Sequence, residues 1–310
     1  YINPTFKEDM EELIFDKLKD NKLDVLDVVV MELEKDDMEI YVKVEKGHKD
    51  QNSYERVKEL VSDSLGMPLR GEFNLRSLED KIQKYKFVKG SRYGALTEIV
   101  SLSSYRNKVS GDSYTFGEGE NIYYSAISDG MGVGKKANSE SNIAISLLEK
   151  FIEAKFDKEL ALRTINSILM LKSNEEAFAT LDISLIDLYS GKLQLVKNGA
   201  PATFVKKKDR VEVINSQSLP VGILENVDFN VYEEYLEDGD IIIMMSDGVL
   251  DANEESHNGE LWIKELISRI DSVNPKTIGE IIIDAANEAS NFKPKDDMTV
   301  MVTKVWKTIK

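Results

Sequence analysis

Four short acidic motifs are the part of this 310-residue sequence best suited to chemistry. They are Val109-Ser-Gly-Asp112, Ser128-Asp129-Gly-Met-Gly132, Met245-Ser-Asp247-Gly248 and Asp296-Asp297-Met-Thr299. Each stands where a predicted strand begins or ends, and a glycine after Asp129 and Asp247 permits a sharp turn. We therefore predict that all of these carboxylates converge at one edge of a β-sandwich.

Carboxylates that cluster repel one another and take up protons, and hard divalent cations remove that cost. The chain has no cysteine and two histidines, His48 and His257, so oxygen atoms would supply the ligands. Such ligands favour magnesium, manganese or calcium over zinc. Two cations about 3.5–4 Å apart activate water and neutralise phosphoryl charge. The motifs thus predict phosphate-ester hydrolysis without a protein nucleophile.

Each motif alone has a simpler interpretation. An Asp-Gly pair after a strand is most often a turn. Asp112 by itself is compatible with an acidic residue in a solvated loop. The Asp296-Asp297 pair by itself is compatible with a gatekeeper pair of charges at the N-terminal end of a strand. The association of every motif with a strand, in this order, favours a shared site.

The charge of the chain argues against nucleic acid and anionic lipid as partners, and its hydropathy argues against a membrane-spanning segment. The net charge is −16, from 56 acidic and 40 basic side chains. Such a surface repels nucleic acid and anionic lipid. No segment approaches the roughly 18 apolar residues of a membrane span. Because the chain begins at Tyr1 and not at methionine, we expect it to be a fragment of a longer protein.

The periodicity predicts the elements that position these motifs. Through about residue 85 we expect a small α/β region: a helix over roughly the first 20 residues, strands at Leu26–Leu33 and Met38–Glu45, and a helix from Tyr54 to Leu65. Beyond Tyr93, helices are predicted over 138–154, 158–171, 259–270 and 276–291, with Asn138 or Ser139 as the first N-cap. Strands are predicted at Ala95–Tyr105, Ile122–Ser128, Leu181–Leu188, Lys192–Lys197, Thr203–Lys206, Phe229–Tyr235, Ile241–Ser246 and Met298–Val305. This order predicts sheets layered between helices.

The ordered motifs resemble those of metal-dependent protein phosphatases, the protein phosphatase 2C (PPM) superfamily. The amino-acid sequences of the motifs are similar to those of the stage II sporulation protein E family of spore-forming bacteria. The resemblance covers the chain from about residue 92 to its end. It is carried by Val109-Ser-Gly-Asp-Ser-Tyr114, Ile127-Ser-Asp-Gly-Met-Gly-Val-Gly134, Asn198-Gly-Ala-Pro201, Ser218-Leu-Pro-Val-Gly-Ile223, Met245-Ser-Asp-Gly248 and Asp296-Asp-Met-Thr-Val300.

The resemblance implies a four-layer α/β/β/α sandwich preceded by a small α/β regulatory region. Residues 1–90 would regulate or dimerise, and residues 91–310 would form the phosphatase domain. The implied cofactors are two divalent cations, with manganese favoured and magnesium as the alternative. Asp129 would bridge both cations while the Gly130 carbonyl and Asp112 help to bind them. Asp247 and Asp296 would complete the site, with Asp297 as the reserve for Asp296.

The implied activity is hydrolysis of phosphoserine or phosphothreonine in a protein. The implied substrate is a phosphorylated anti-anti-sigma factor, whose dephosphorylation activates a sporulation sigma factor. Homodimerisation and contact with the cell-division tubulin homologue are also implied. A missing N-terminal region would make the membrane contact and hold this soluble fragment at the cytoplasmic face of the division septum.

Two features depart from eukaryotic members. Their substrate-binding arginine before the first motif has no equivalent at the same spacing, because Arg106 lies near that position but is displaced in sequence. Their histidine that assists proton transfer to the leaving serine is also missing.

Two alternatives stay open: a stress-response phosphatase of the same superfamily with another upstream signal, and a catalytically silent, phosphatase-like binding module. The front region distinguishes the first, because a sensor fold favours the stress branch, and loss of acidic ligands would mark the second.

Overall fold

The computed structural model describes residues 4–34, 37–45, 54–75, 82–104, 109–119, 121–130, 134–154, 156, 158–172, 178–215, 218–223, 230–253, 256 and 258–308. His48, Arg106, Gly132 and His257 lie outside the described residues. The chain divides into two compact units, Tyr1–Arg92 and Tyr93–Lys310.

The first unit is a two-layer α/β structure. Its elements are β1 (Thr5–Phe6), α1 (Glu8–Asp20), β2 (Val25–Glu34), β3 (Asp37–Glu45), α2 (Tyr54–Leu65), β4 (Leu69–Leu75) and β5 (Ile82–Lys89). The strands form an antiparallel sheet in the order β1-β2-β3-β5-β4. Ile14 and Leu18 of α1 and Val57 and Val61 of α2 are fully buried in the core that they share with this sheet.

The second unit contains the remaining elements. In chain order they are β6 (Tyr93–Leu102), β7 (Asp112–Glu118), β8 (Ile122–Asp129), α3 (Lys135–Glu153), α4 (Lys158–Lys172), β9 (Leu181–Asp187), β10 (Lys192–Asn198), β11 (Thr203–Lys206), β12 (Val211–Ile214), β13 (Asn230–Tyr235), β14 (Ile241–Met245), α5 (Asp247–Leu250), α6 (Gly259–Arg269), α7 (Pro275–Ala289) and β15 (Met298–Lys307).

These elements stack in four layers, which confirms the predicted α/β/β/α sandwich. One antiparallel sheet has the order β13-β10-β9-β8-β7 and the other β12-β11-β14-β15-β6. A buried core that includes Leu195 and Met244 joins the two sheets. Helices α3 and α4 cover the outer face of the first sheet through residues such as Leu148 and Ile165, and α6 and α7 cover the second. Strand β14 is buried throughout, as expected for a strand covered on both faces.

The structure differs from the sequence prediction in several elements. Strands β1, β4, β5, β7 and β12 and the short helix α5 were not predicted, and β1 lies within the stretch predicted as the first helix. Helix α3 begins at Lys135, where Gly134 is the N-cap with a φ of 77° and no side chain caps the helix. The prediction of Asn138 or Ser139 as the cap is therefore wrong. The Asn138 amide instead donates a hydrogen bond to the Ser110 carbonyl at 2.9 Å, beside the first acidic motif. Among the described helices, none is both long and apolar enough to cross a membrane.

Candidate metal centre

Asp112 and Asp129 are held side by side by the β7–β8 hairpin. Asp112 is the first residue of β7 and Asp129 the last of β8, and the two are directly paired across the strands. Paired residues in antiparallel strands have Cβ atoms about 4.5–5.5 Å apart. The register of a single hairpin therefore places two of the predicted ligands together.

Asp112 is buried, with 6% of its surface exposed. Its Oδ2 atom accepts a hydrogen bond of 2.6 Å from the Thr299 hydroxyl, and its Oδ1 atom is buried without a hydrogen-bond partner in the described structure. Burial raises the pKa of Asp112 to about 7, nearby Asp297 and Asp247 add to the rise, and hydrogen bonds from Thr299 and Ser246 oppose it. An unpartnered, buried carboxylate oxygen is an acceptor that a cation would satisfy.

Asp129 is the electrostatic centre of the cluster. Burial raises its pKa to about 9, with further increases from the negative charges of Asp112, Asp247 and Asp296. Its backbone is fixed on both sides by Thr180, whose hydroxyl accepts from the Asp129 amide at 2.9 Å and whose amide donates to the Asp129 carbonyl at 2.8 Å. The fold thus holds three further carboxylates around one fixed aspartate.

Glycine is required at position 130 because the backbone of α3 approaches it closely. A Cβ atom at this position would overlap the carbonyl oxygen of Ala137 in the first turns of α3. Gly130 also forms a bridge to Ala179, next to Thr180. The segment that carries the predicted carbonyl ligand is therefore packed between α3 and the β8–β9 side of the sheet.

Asp247 and Asp296 come from the second sheet. Asp247 follows β14 and opens α5, while Asp296 precedes β15, the strand paired with β14. Ser246 joins these strand ends: its amide donates to the Thr299 carbonyl at 3.0 Å and its hydroxyl accepts from the Thr299 amide at 2.9 Å. The Asp247 side chain is exposed in the wall of a cleft. Partial burial of its carboxyl group, and then repulsion from Asp296 and Asp251, raise the pKa of Asp247.

Asp297 is engaged elsewhere. It is 3% exposed, and its two carboxylate oxygens accept hydrogen bonds of 2.7 Å from the backbone amides of Ser104 and Gly111. Among the described residues, Asp296 accepts such a contact through Oδ1 alone, from the Asp297 amide at 2.8 Å. The geometry therefore favours Asp296 over Asp297 as a ligand and gives Asp297 the task of anchoring Gly111, the neighbour of Asp112.

The donor set fits hard divalent cations. The acidic side chains at these strand ends offer oxygen donors alone, and burial and the negative charges of acidic neighbours raise the pKa values of Asp112, Asp129 and Asp247. The buried, unpartnered Oδ1 atom of Asp112 is an acceptor that a hard divalent cation would satisfy. Within the described part of the chain, no three acidic or histidine side chains enclose a metal ion by themselves. Binding of cations would have to draw these carboxylates inward against their mutual repulsion.

Thr180, Ser246 and Thr299 make hydrogen bonds that support the acidic residues, and the sequence analysis did not identify them in this role. Their hydrogen bonds join residues 51 or more positions apart, such as Asp129 with Thr180 and Asp112 with Thr299. The sequence did offer a reason to single out Thr299, because it is the last residue of the fourth acidic motif. It offered no reason to single out Thr180, since a threonine before a strand is common.

We expect Thr299→Val to weaken metal binding but to leave turnover at saturating metal nearly unchanged. The substitution keeps the shape of the side chain but removes the hydroxyl that orients Asp112. Loss of such an outer partner typically lowers metal affinity about 10–100-fold. The manganese concentration for half-maximal activity should rise by that factor, with kcat at saturation within a few-fold of wild type.

The matched control is Thr303→Val on the same strand. The Thr303 hydroxyl is also buried and bonds to Thr97 at 2.7 Å, away from the acidic motifs. Its loss should lower stability without moving the manganese titration. Equal titrations for Thr299→Val and wild type would contradict the positioning role.

Three comparisons with known proteins agree. The family model for stage II sporulation protein E matches residues 120–306. Stage II sporulation protein E of Bacillus subtilis is 39% identical over 198 residues, which are 64% of this chain and 24% of that protein. The chain therefore spans about a quarter of the length of this curated relative. The phosphoserine phosphatase RsbU of Bacillus subtilis is 23% identical over 210 residues, 66% of this chain and 62% of RsbU.

Among solved structures, the chain matches one that contains the PP2C phosphatase domain and a fragment of the regulatory domain of the cell fate determinant SpoIIE from Bacillus subtilis. The TM-score is 0.74 at 31% identity, and the match covers 97% of this chain and 88% of that one. The likeness includes both units of the chain.

Proposed function

The chain belongs to the stage II sporulation protein E family and has the protein phosphatase 2C fold, and on that premise we propose that it is a metal-dependent protein serine/threonine phosphatase. The observation that carries the proposal is the convergence of Asp112, Asp129, Asp247 and Asp296 at one end of the sandwich, where burial and neighbouring negative charges raise the pKa values of the first three. A catalytically silent binding module would have no need of this repulsion.

The ligand assignment follows the family resemblance, and the positions of the carboxylates support it. Asp112, Asp129, the Gly130 carbonyl, Asp247 and Asp296 would hold the two cations, with Asp297 as the reserve for Asp296. Manganese is the proposed metal and magnesium the alternative, because all of these donors are oxygen atoms. When bound, the two cations would supply Lewis-acid activation of water and of the phosphoryl group.

The chain's own residues prepare the site for this chemistry. Thr299 orients Asp112, Thr180 fixes Asp129, and Asp297 holds Gly111 beside Asp112. The Ser246 hydroxyl joins the neighbouring strand ends, since it accepts from the Thr299 amide and donates to the Asp297 carbonyl at 3.2 Å. These contacts restrict the positions of the carboxylates, so that less reorganisation is needed when cations bind. In the absence of an identified protein nucleophile, we propose direct hydrolysis with a proton from water to the leaving serine.

We propose a phosphoserine anti-anti-sigma factor as the substrate, so that its dephosphorylation activates a sporulation sigma factor. Membership in the sporulation family supports this choice, and RsbU, named as a phosphoserine phosphatase, supports the residue type. Contact with the cell-division tubulin homologue and a place at the cytoplasmic face of the division septum are proposed for the longer protein.

Residues 1–90 are proposed to regulate the phosphatase domain at 91–310, through homodimerisation. The support is that the likeness to the SpoIIE structure, which includes a fragment of a regulatory domain, covers 97% of this chain. The first unit has its own hydrophobic core of two helices on a sheet and shows none of the four acidic motifs.

The test is phosphate release from a phosphorylated anti-anti-sigma factor by the purified chain. We expect turnover with manganese, loss of turnover with chelator, and recovery with manganese more readily than with zinc. Chelator-resistant dephosphorylation would exclude the metal mechanism. No release at any manganese concentration would favour the silent binding module, and a strong preference for the substrate of a stress-response relative would favour that branch.

A further inference from the structure

A cleft beside the metal centre is larger than a phosphoryl group requires. It has a volume of about 890 Å³ and includes Asp247 and Asp296 in its wall. Pockets of about 300–1,000 Å³ accommodate ligands of drug size. The cleft therefore has room for several residues of an extended polypeptide in addition to the phosphoryl group.

Two lysines line this cleft. They are Lys293 and Lys295, and both side chains are exposed. Pro294 between them is buried, so the two lysines are the exposed positions of this short segment. Among the described lining residues these two carry positive charge, on a chain whose net charge is −16.

The backbone that presents the lysines is unusual. After α7 ends, Asn291 and Phe292 both have left-handed conformations, with φ values of 55° and 59°. Side-chain-bearing residues rarely adopt this region, and bulky ones least of all. Such outliers persist where the surrounding structure demands them and are concentrated at functional sites. Here they turn the chain from α7 into the Lys293–Lys295 segment, which leads directly to Asp296.

Acidic side chains also line the cleft. Asp251, after α5, and Glu288, in the last turn of α7, are exposed in it. Beside the proposed ligands Asp247 and Asp296, the cleft therefore offers both positive and negative side chains to a bound segment. A bound segment would be oriented by its own charges.

We propose that this cleft binds the segment of the phosphoprotein that flanks the phosphoserine, and that Lys293 and Lys295 select segments with an acidic side chain beside it. The proposal rests on the proposed phosphatase function and deepens it, because it assigns substrate selection to a surface outside the ligand set.

The test uses the whole chain with manganese and synthetic phosphoserine peptides that differ only in whether glutamate, glutamine or lysine stands beside the phosphoserine. Wild type should prefer the glutamate peptide over the lysine peptide in kcat/KM. A preference of about threefold to tenfold is expected, since exposed ion pairs are individually weak. Most of the difference should appear in KM and should shrink at high salt.

Charge reversal should reverse the preference. Lys293→Glu with Lys295→Glu should favour the lysine peptide, and Lys293→Glu alone should give an intermediate result. The matched control is Lys276→Glu, an exposed lysine at the opposite end of α7, about 20 Å away along the helix. Lys276→Glu should keep the wild-type preference.

Two negative outcomes are distinguishable. Hydrolysis of all three peptides at equal kcat/KM, or an unchanged preference in both lysine variants, would overturn the cleft proposal and leave the phosphatase function intact. No hydrolysis of any peptide or phosphoprotein would overturn the proposed function itself.

Discussion

Replacement of Asp129 by asparagine is expected to destroy activity while stabilising the metal-free protein. Asn keeps the shape of the side chain and removes the central charge of the ligand set. We expect turnover to fall at least about 10²–10³-fold, the usual effect of deleting one group from a preorganised electrostatic site. Manganese at high concentration should not restore it.

The stability effect follows from the direction of the pKa shift. Burial and the neighbouring carboxylates raise the pKa of Asp129 to about 9 from an ordinary value of 3.8. Below about pH 4 the carboxyl is protonated in both the folded and the unfolded chain, so folding carries no penalty. The penalty grows as the pH rises between the two pKa values and is complete above about pH 9. At pH 7 its removal should raise the free energy of unfolding by up to about 4 kcal/mol.

The measurement is thermal unfolding in chelator and in manganese across this pH range. In chelator the Asp129→Asn protein should melt above wild type, by more at pH 8 than at pH 5. In manganese the order should reverse, because wild type gains the free energy of metal binding. Asp284→Asn, at an exposed position of α7, is the control and should match wild type throughout. A less stable Asp129→Asn protein in chelator would contradict the repulsion argument.

The sequence predicted the elements with helical spacing or long apolar runs and missed short, polar or lysine-rich strands, even where such a strand buries apolar residues, as β5 does with Tyr85 and Phe87. Helices α3, α4, α6 and α7 show apolar residues at helical spacing, and the structure places them within three residues of the predicted bounds. Strand β7 was missed because it is a sheet edge with polar and exposed positions, including Tyr114 and Phe116 at 45% and 43% exposure. Strands β4 and β5 were missed for a related reason: β4 is also an edge strand, and β5 alternates with lysines.

The acidic motifs could be predicted as a group because each is local. The aspartate, the glycine and the end of a strand are neighbours in sequence, and the chemistry of carboxylates limits what they bind. The support around them could not be predicted in this way. The contact between Thr299 and Asp112 spans 187 positions, and that between Asp297 and Gly111 spans 186. Only the packing of one sheet on the other brings such partners together.

The Asp296-Asp297 pair gives the sharpest test, because the same substitution at neighbouring positions should have opposite effects. In Asp297→Asn the amide nitrogen cannot accept a hydrogen bond, so one of the backbone amides of Ser104 and Gly111 loses its partner in a buried site. Loss of such a charged acceptor costs about 2–4 kcal/mol. At about 2–4 °C per kcal/mol, the melting temperature should fall by roughly 5–15 °C.

Asp296→Asn should instead leave the fold intact. Its Oδ1 atom accepts only from the Asp297 amide, and an asparagine oxygen can take over that contact. Turnover should be lost, and stability in chelator should be equal to or above wild type, since a charge near Asp129 and Asp247 has been removed. Asp297→Asn should lose turnover only in part, through displacement of Asp112, and should recover some of it at high manganese. The reverse pattern, a stable but inactive Asp297→Asn protein beside an active Asp296→Asn protein, would show that the second aspartate is the metal ligand and that Gly111 is held by other contacts.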